Sequence, residues 1–297
     1  MPEWSVFSVL VAAAVGGGVG LLSGIFGVGG GFLLVPLLNS VLGIPMATAV
    51  GSTACYTLGP ATTAMLARRP RSGFIELPLI LCGGLFLGVL AGTSSITFLK
   101  QAAPIEVAGR SIVATDLLVL ASYAILMLGI AAMSLADGLR QTPPVVPDGG
   151  WISKLAIPPT GAIPEVGRFS IPVLSWTGLI VGFLSGFLGM SGGLVLVPAA
   201  IYLLGLSVHS ATSVTIVIVW LVSLQSTLMH ALHQNIELPL VAALLICGTI
   251  GAQVGTEFGD RIRGQKLKLG FGILVLVAAA IVIARLWKLW SLSAPAV

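Results

Sequence analysis

The sequence is short of charge. Only 8% of its 297 residues are Asp, Glu, Lys or Arg, whereas 57% are hydrophobic. A soluble globular protein carries roughly 25% charged residues, so this chain has too little polar surface to face water. Apolar stretches recur from end to end, which indicates an integral membrane protein.

The residue patterns that disulfides, metal sites and ATP hydrolysis require are also absent. Cys55, Cys82 and Cys247 are dispersed and form no CxxC pair, so we predict neither a disulfide framework nor a metal site. A phosphate-binding GxxxxGK[ST] loop is missing, which argues against ATP hydrolysis. We therefore expect no enzyme, no cofactor and no nucleic-acid partner. The net charge of +4 fits basic loops at a lipid bilayer.

Two copies of one glycine-rich stretch are present, 22-LSGIFGVGGGFLLVP-36 and 184-LSGFLGMSGGLVLVP-198. The copies lie 162 positions apart and share nine of fifteen residues. Further matches follow in the same order: 75-IELPL-79 recurs as 236-IELPL-240, and Gly88 and Gly92 match Gly251 and Gly255. Ordered matches of this kind predict a duplication, with a first transmembrane repeat over 1–136 and a second over 170–297. The Pro- and Gly-rich segment 137–169 between them is predicted to be an extramembrane linker.

Each repeat contains about five apolar segments. We predict them at 5–22, 31–42, 46–67, 75–99 and 112–135, and at 170–188, 193–205, 208–232, 236–258 and 268–290. The second segment of each repeat is only about a dozen residues long, against about 20 for a full span. The expected fold is an all-α polytopic transmembrane bundle in which some segments are short or broken.

Lysine and arginine differ between corresponding turns. The turn 68-RRPR-71 is basic while its counterpart 230-HALHQN-235 is not, and 261-RIRGQKLK-268 is denser than the turn after the fourth segment of the first repeat. Positive charge marks the cytoplasmic side, so the repeats are predicted to be inverted. With five crossings in each, both termini lie outside.

The glycine stretches raise a chemical question, because glycine breaks helices where water cannot satisfy the freed backbone. Inverted-repeat transporters use such breaks near the bilayer midplane, where a helix N-terminus suits an anion. Close packing of helices is the alternative reading. We predict that the two breaks face each other and bind substrate through Gly29, Gly30, Gly31, Ser191, Gly192 and Gly193.

Polar side chains near the breaks are further candidates. Hydroxyls follow each break and would donate to an oxyanion: Ser52, Thr53, Ser213 and Thr215. His209 precedes the second hydroxyl cluster, and Gln225 is a lone amide inside a span. Local capping is the alternative for any single hydroxyl. We expect His230 and His233 to cap the third segment at the outer surface.

These residues carry a resemblance to a known family. The pairs 27-GVGGGFLLVPLL-38 with 49-AVGST-53, and 189-GMSGGLVLVPAA-200 with 211-ATSVT-215, resemble the sulfite exporter TauE/SafE family of bacterial membrane permeases. The second copy departs from the pattern at Ser191 and at TSV. The resemblance implies transport of a small sulfur-containing anion, such as sulfite or an organosulfonate like sulfoacetate, across the inner membrane.

The resulting hypothesis is a secondary transporter, in the direction of export, that works by alternating access. A coupling proton and a homodimer stay open at this stage. A passive anion channel and a membrane scaffold or sensor are the alternatives, and the sequence does not separate them from transport.

Overall fold

A computed structural model describes the chain over ten ranges: 6–26, 29–68, 76–102, 105–107, 110–139, 157–163, 167–190, 192–206, 208–259 and 265–292. Within them lie ten α-helices and two short antiparallel hairpins. The all-α prediction is therefore confirmed. The basic turn 69–71 and residues 140–156 of the linker lie outside the described part of the chain.

The first repeat contains five helices and one hairpin: α1 (Val6–Phe26), α2 (Gly31–Val41), α3 (Met46–Arg68), α4 (Glu76–Gln101), β1 (Ile105–Val107), β2 (Arg110–Ile112) and α5 (Ala114–Leu139). The predicted segments match these helices to within a few residues. The hairpin between α4 and α5 was not predicted.

The second repeat has the same helix order after a hairpin that ends the linker: β3 (Thr160–Ile163), β4 (Gly167–Ser170), α6 (Ile171–Leu188), α7 (Gly193–Tyr202), α8 (Val208–Leu232), α9 (Leu238–Gly259) and α10 (Gln265–Leu292). In β3–β4, Thr160 pairs with Ser170 and Ile163 with Gly167. Position for position, α6–α10 correspond to α1–α5.

Seven of the described helices are long and apolar enough to cross a membrane: α1, α4, α5, α6, α8, α9 and α10. Helix α3 has 23 residues but is more polar. Helices α2 and α7 have 11 and 10 residues, which at 1.5 Å per residue is only about 15–16 Å. Helices α2 and α7 are thus the short segments that the sequence predicted, since a full crossing of about 30 Å of hydrocarbon needs about 20 residues. The number of full crossings stays a prediction.

Small residues let two pairs of helices approach closely and in parallel. The backbones of α1 and α9 contact each other in the same order along both helices: Gly20 lies against Gly248, and Gly24 lies against Ala252 and Gly255. Helices α4 and α6 make the equivalent pair, with Gly84 against Ser175 and Gly92 against Phe183. These two interfaces are the most extensive in the bundle.

Corresponding helices of the two repeats also contact each other, and they run antiparallel. The Thr57 and Ser223 hydroxyls lie 3.0 Å apart between α3 and α8, and Trp220 Nε1 donates to Thr62 Oγ1 at 3.0 Å. Between α5 and α10, Gly138 faces Leu269 and Gly272 faces Leu135. In both pairs the residue number rises on one helix as it falls on the other.

Helix α2 lies along α10. Phe32 at its start contacts the Phe271 ring, with 6.2 Å between centroids. Near its end, Arg285 Nε donates to Asn39 Oδ1 at 3.0 Å, and Asn39 Nδ2 donates to the Ile44 carbonyl at 2.9 Å. Arg285 lies within the apolar run of α10. This cation has a polar partner within the bundle, as charged groups in membranes require.

Candidate substrate-binding site

The two glycine breaks have the same backbone geometry. Gly30 precedes α2 with φ 55°, and Gly192 precedes α7 with φ 74°. Both values lie in the left-handed region that glycine adopts without strain. Neither N-cap makes a side-chain hydrogen bond in the described structure. Each N-cap is a glycine, so neither short helix has a capping side chain at that position.

Each break folds back onto the helix before it. A Cβ atom on Gly30 would lie 3.0 Å from Ser23 Cβ and 3.2 Å from Val19 Cγ1. A Cβ atom on Gly192 would lie 2.9 Å from Ser185 Oγ and 2.9 Å from Val181 Cγ1. Ser185 and Val181 are the residues 162 positions after Ser23 and Val19. The two repeats thus build the same turn with the same contacts.

The two breaks also meet each other. A Cβ atom on Gly31 would lie 3.3 Å from Met190 Cα and 3.4 Å from the Gly189 carbonyl oxygen. Gly189 in turn lies against the Val50 backbone of α3. The two breaks therefore lie side by side and face each other, between α3 and the rest of the bundle.

A cavity of about 390 Å³ reaches this region from one side. Its volume falls in the range of roughly 300–1,000 Å³ that is usual for small-molecule sites. We call it the open vestibule. Its lining comes from α1, α3, the two breaks, α8 and α9: Ser23, Gly24, Gly29, Thr57, Pro60, Ala61, Thr63, Ala64, Gly193, Thr215, Ile216, Val219, Thr249, Ala252, Gln253, Thr256 and Glu257.

Hydroxyl groups dominate the polar part of this lining. Thr215 is only 4% exposed, and its Oγ1 has no hydrogen-bond partner within the described structure. A buried hydroxyl without a partner is uncommon and calls for an explanation, such as a ligand or a water. Of the described lining residues only Glu257 carries a charged side chain. The other threonines of the lining, Thr57, Thr63, Thr249 and Thr256, donate to carbonyls of their own helices. Thr215 is therefore the lining threonine whose hydroxyl is left for a ligand.

The structure places the predicted site residues in three groups. Gly29, Gly193 and Thr215 line the open vestibule. Gly30, Gly31 and Gly192 are buried in the breaks behind it. The remaining described residues lie elsewhere: Ser52, Thr53, Ser213 and Gln225. Ser191 and the His209 side chain lie outside the described part. Binding by any of these residues stays a prediction.

Two of the residues away from the vestibule hold helices together. Ser52 Oγ accepts a hydrogen bond from the Glu237 backbone N–H at 3.1 Å. Gln225 Nε2 donates to the Phe86 carbonyl at 2.8 Å and so joins α8 to α4. Thr53 is fully buried, and its Oγ1 has no partner among the described residues.

The two histidines of α8 and its C-terminal turn differ from each other. His233 is exposed, as expected. The prediction for His230 is wrong, because this residue is fully buried and its Nε2 lies 3.1 Å from the Gly186 carbonyl oxygen of α6. Packing between α8 and α6 buries the ring, and a single sequence does not reveal that contact.

The α9 wall of the vestibule was not predicted. Thr249, Gln253 and Thr256 line it, and they follow the i, i+4, i+7 spacing that puts residues on one face of a helix. The sequence therefore contained an indication of this wall, because these residues form a polar stripe within an apolar span. Ser23 and Thr57 were missed too, although Ser23 lies within the duplicated stretch.

Comparison with known proteins agrees with this architecture. The family model described as "Sulfite exporter TauE/SafE" matches residues 10–282. Two proteins named "Probable membrane transporter protein", from Xylella fastidiosa strains 9a5c and Temecula1 / ATCC 700964, are each 26% identical over 291 residues, covering 95% of this chain and 98% of theirs. No solved structure matches. The chain is therefore a multi-pass membrane protein that belongs to the sulfite exporter TauE/SafE family of transporters.

Proposed function

We propose that this protein is a secondary transporter that exports a small sulfur-containing anion, such as sulfite or an organosulfonate, by alternating access. The observation that carries the proposal is the open vestibule, which ends at two facing glycine breaks and at the unpartnered Thr215 hydroxyl. Backbone N–H groups at a helix start and nearby hydroxyls are suitable donors to an oxyanion.

The arrangement of the repeats supports alternating access. Equivalent helices α3 and α8 run antiparallel, and so do α5 and α10. If each helix is replaced by its counterpart in the other repeat, the parallel pair α1–α9 becomes the parallel pair α6–α4. We infer an inverted repeat, which is the construction that lets a central site open to either side.

The orientation follows from the basic turns. The ends of α3 and α9 that line the open vestibule lead directly into 68-RRPR-71 and 261-RIRGQKLK-268. Because Lys and Arg mark the cytoplasmic side, the open vestibule faces the cytoplasm. An exporter in this state is ready to take up its substrate.

Glu257 gives the open vestibule one negative charge at an exposed position. An anion that enters the vestibule meets this carboxylate, and two negative charges in one cavity repel each other. We propose that the carboxylate weakens anion binding from the open side. The charged residues that follow it in sequence are Asp260, Arg261 and Arg263, whose side chains lie outside the described part.

The first test is thermal unfolding of the purified protein with a panel of sulfite, sulfate, thiosulfate, sulfoacetate, taurine, phosphate and acetate. A ligand at 100 times its dissociation constant stabilises the native state by about 2.7 kcal/mol, which raises the Tm by several degrees. We expect a shift with sulfite or a sulfonate. No shift with any of these anions contradicts the substrate proposal.

The site is tested with a hydroxyl-to-methyl change. Thr215→Val keeps the shape of the side chain and removes one donor, which is worth about 1 kcal/mol or about fivefold in affinity. The matched control is Thr97→Val, since Thr97 Oγ1 donates to the Thr93 carbonyl at 3.1 Å within α4 and is not part of the vestibule. Equal affinity in both variants contradicts a contact between Thr215 and the anion.

Flux in proteoliposomes separates a transporter from a passive channel. Unlabelled anion inside the vesicles should accelerate uptake of labelled anion, because each inward turn follows an outward one. Uptake that neither saturates nor responds to internal anion would favour the channel, which uses the same donors without alternation.

A further inference from the structure

We propose that two hydrogen bonds, Gln225–Phe86 and His230–Gly186, form the gate that closes a second vestibule, the route from the opposite membrane face to the breaks. This inference rests on the proposed function. The duplication identifies the residues of the second vestibule. Residues of α1–α3 match those of α6–α8 at an offset of 162 in residue number, and Gly88 in α4 matches Gly251 in α9 at an offset of 163. Exchanging the repeats converts most residues of the open vestibule into residues elsewhere in the bundle, whereas Thr57 and Val219 exchange with each other.

The exchanged positions carry buried hydroxyls that lack partners. Thr53 corresponds to Thr215 and Ser185 corresponds to Ser23. Both are 0% exposed, and neither hydroxyl has a hydrogen-bond partner within the described structure. Ser226, which corresponds to Ala64, is 1% exposed and is unpartnered in the same way. Burying a hydroxyl without a hydrogen bond is unfavourable, so three such groups at the exchanged positions suggest a state in which they contact water or substrate.

The exchanged positions on α3 and α8 lie along two helices that contact each other. Thr53 and Thr57 lie one turn apart on α3, and Ser223, Ser226 and His230 share one face of α8. The hydrogen bond between the Thr57 and Ser223 hydroxyls joins the two helices at 3.0 Å. Since Thr57 also lines the open vestibule, this bond lies at the boundary between the open and the closed side.

Two hydrogen bonds hold the closed side shut. The first runs from Gln225 Nε2 to the Phe86 carbonyl, at 2.8 Å, and joins α8 to α4. The corresponding residues are Thr63 and Thr249, and both line the open vestibule. Their hydroxyls bond instead to their own helices, Thr63 to the Gly59 carbonyl and Thr249 to the Leu245 carbonyl. On the closed side a hydrogen bond thus joins α8 to α4, whereas on the open side the corresponding helices α3 and α9 are separated there by the vestibule.

The second bond joins α8 to α6. His230 Nε2 lies 3.1 Å from the Gly186 carbonyl oxygen, and His230 Nδ1 has no partner in the described structure. Gly186 corresponds to Gly24, which lines the open vestibule. We call the Gln225–Phe86 and His230–Gly186 bonds the two latches. Opening the second vestibule requires both to break.

The test is cysteine accessibility in the full-length protein, in membrane vesicles of known orientation. Cys55, Cys82 and Cys247 are first replaced by alanine. Ser226→Cys is then introduced to report on the closed side, and Ala64→Cys, its exchanged position, to report on the open side. A membrane-impermeant methanethiosulfonate reagent is the probe, so the assay does not depend on knowing the substrate.

We expect Ala64→Cys to react from one membrane face and Ser226→Cys to be protected. Adding Gln225→Leu, which keeps the bulk and removes the donor, should raise the reaction rate at Ser226→Cys at least tenfold from the opposite face. The rate at Ala64→Cys should fall in the same background. Ser223→Ala, which removes the bond to Thr57, gives a second route to the same exchange if Gln225→Leu does not reach the membrane.

Two results overturn the proposal. In one, Ser226→Cys stays protected in both backgrounds. In the other, both cysteines react faster together, which indicates local unfolding of the bundle. A failure of the anion panel with a positive accessibility exchange would reject the substrate and keep the second vestibule, so the two proposals fail separately.

Discussion

The open vestibule and its closed counterpart share one pair of glycine breaks but differ in their walls. On α9 the open side presents Gln253 and Glu257, whereas the corresponding positions on α4 are Leu90 and Ser94. The breaks are therefore the common element of the duplication, and the walls have become specialised. An anion that approaches from the open side passes a carboxylate, and one that approaches from the other side does not.

The largest expected effect comes from filling a break. Gly192→Val would put a β-branched residue at φ 74°, with its Cβ 2.9 Å from both Ser185 Oγ and Val181 Cγ1. Left-handed strain and overpacking together cost roughly 3 kcal/mol or more. We expect a large loss of thermal stability and of protein in the membrane, and the same from Gly30→Val.

The matched control for this break is Gly129→Val, since a Cβ on Gly129 in α5 meets nothing within 4 Å. If Gly192→Val unfolded at the Gly129→Val temperature, the break would not be tightly packed. If only one of Gly30→Val and Gly192→Val were harmful, the two breaks would not be equivalent.

A smaller effect is expected at the parallel helix pairs. Gly88 in α4 lies against the Leu179 carbonyl, and its counterpart Gly251 in α9 lies against the Gly17 carbonyl. An added methyl group in either place forces the helices apart, at a cost of about 1–3 kcal/mol. We expect Gly88→Ala and Gly251→Ala to lower the Tm by similar amounts, whereas Gly83→Ala, which faces open space, should not. Unequal losses would show that one interface tolerates movement better than the other.

Much of the fold was predictable because long apolar runs in a membrane must be helices. The third segment was predicted at 46–67 and the helix spans Met46–Arg68. The short helices were predictable as well, because glycines bound them: Gly30 and Gly43 around α2, and Gly192 and Gly205 around α7. Ser52 shows where prediction ended, since its hydrogen bond joins it to a residue 185 positions away. The burial of His230 against Gly186 depends on the packing of α8 on α6 in the same way.

The charge difference between the two sides can be tested at Glu257. Glu257→Gln keeps the shape of the side chain and lacks the negative charge. Because Glu257 is exposed, removing its repulsion of an anion in a water-like dielectric is worth at most about 1 kcal/mol, or about fivefold in affinity. We expect tighter sulfite binding by calorimetry.

Ser94→Ala is the control for Glu257→Gln, because Ser94 occupies the corresponding position on α4. It should leave the affinity unchanged. Wild-type affinity in Glu257→Gln would show that this carboxylate does not act on the bound anion.

The smallest expected effect distinguishes the two equivalent threonines. In this state Thr53 is fully buried and its hydroxyl has no partner in the described structure. Replacing an unpartnered hydroxyl by a methyl group of the same shape removes an unfavourable burial, so Thr53→Val should stabilise this state by up to about 1 kcal/mol. Thr215→Val, at the vestibule, should gain less stability and lose anion affinity. The two variants therefore separate stability from binding at positions that the duplication made equivalent.

If Thr53→Val stabilises the protein and also slows exchange of labelled anion, then the Thr53 hydroxyl contributes to the other state. A stabilised variant with unchanged exchange would instead make Thr53 a packing residue.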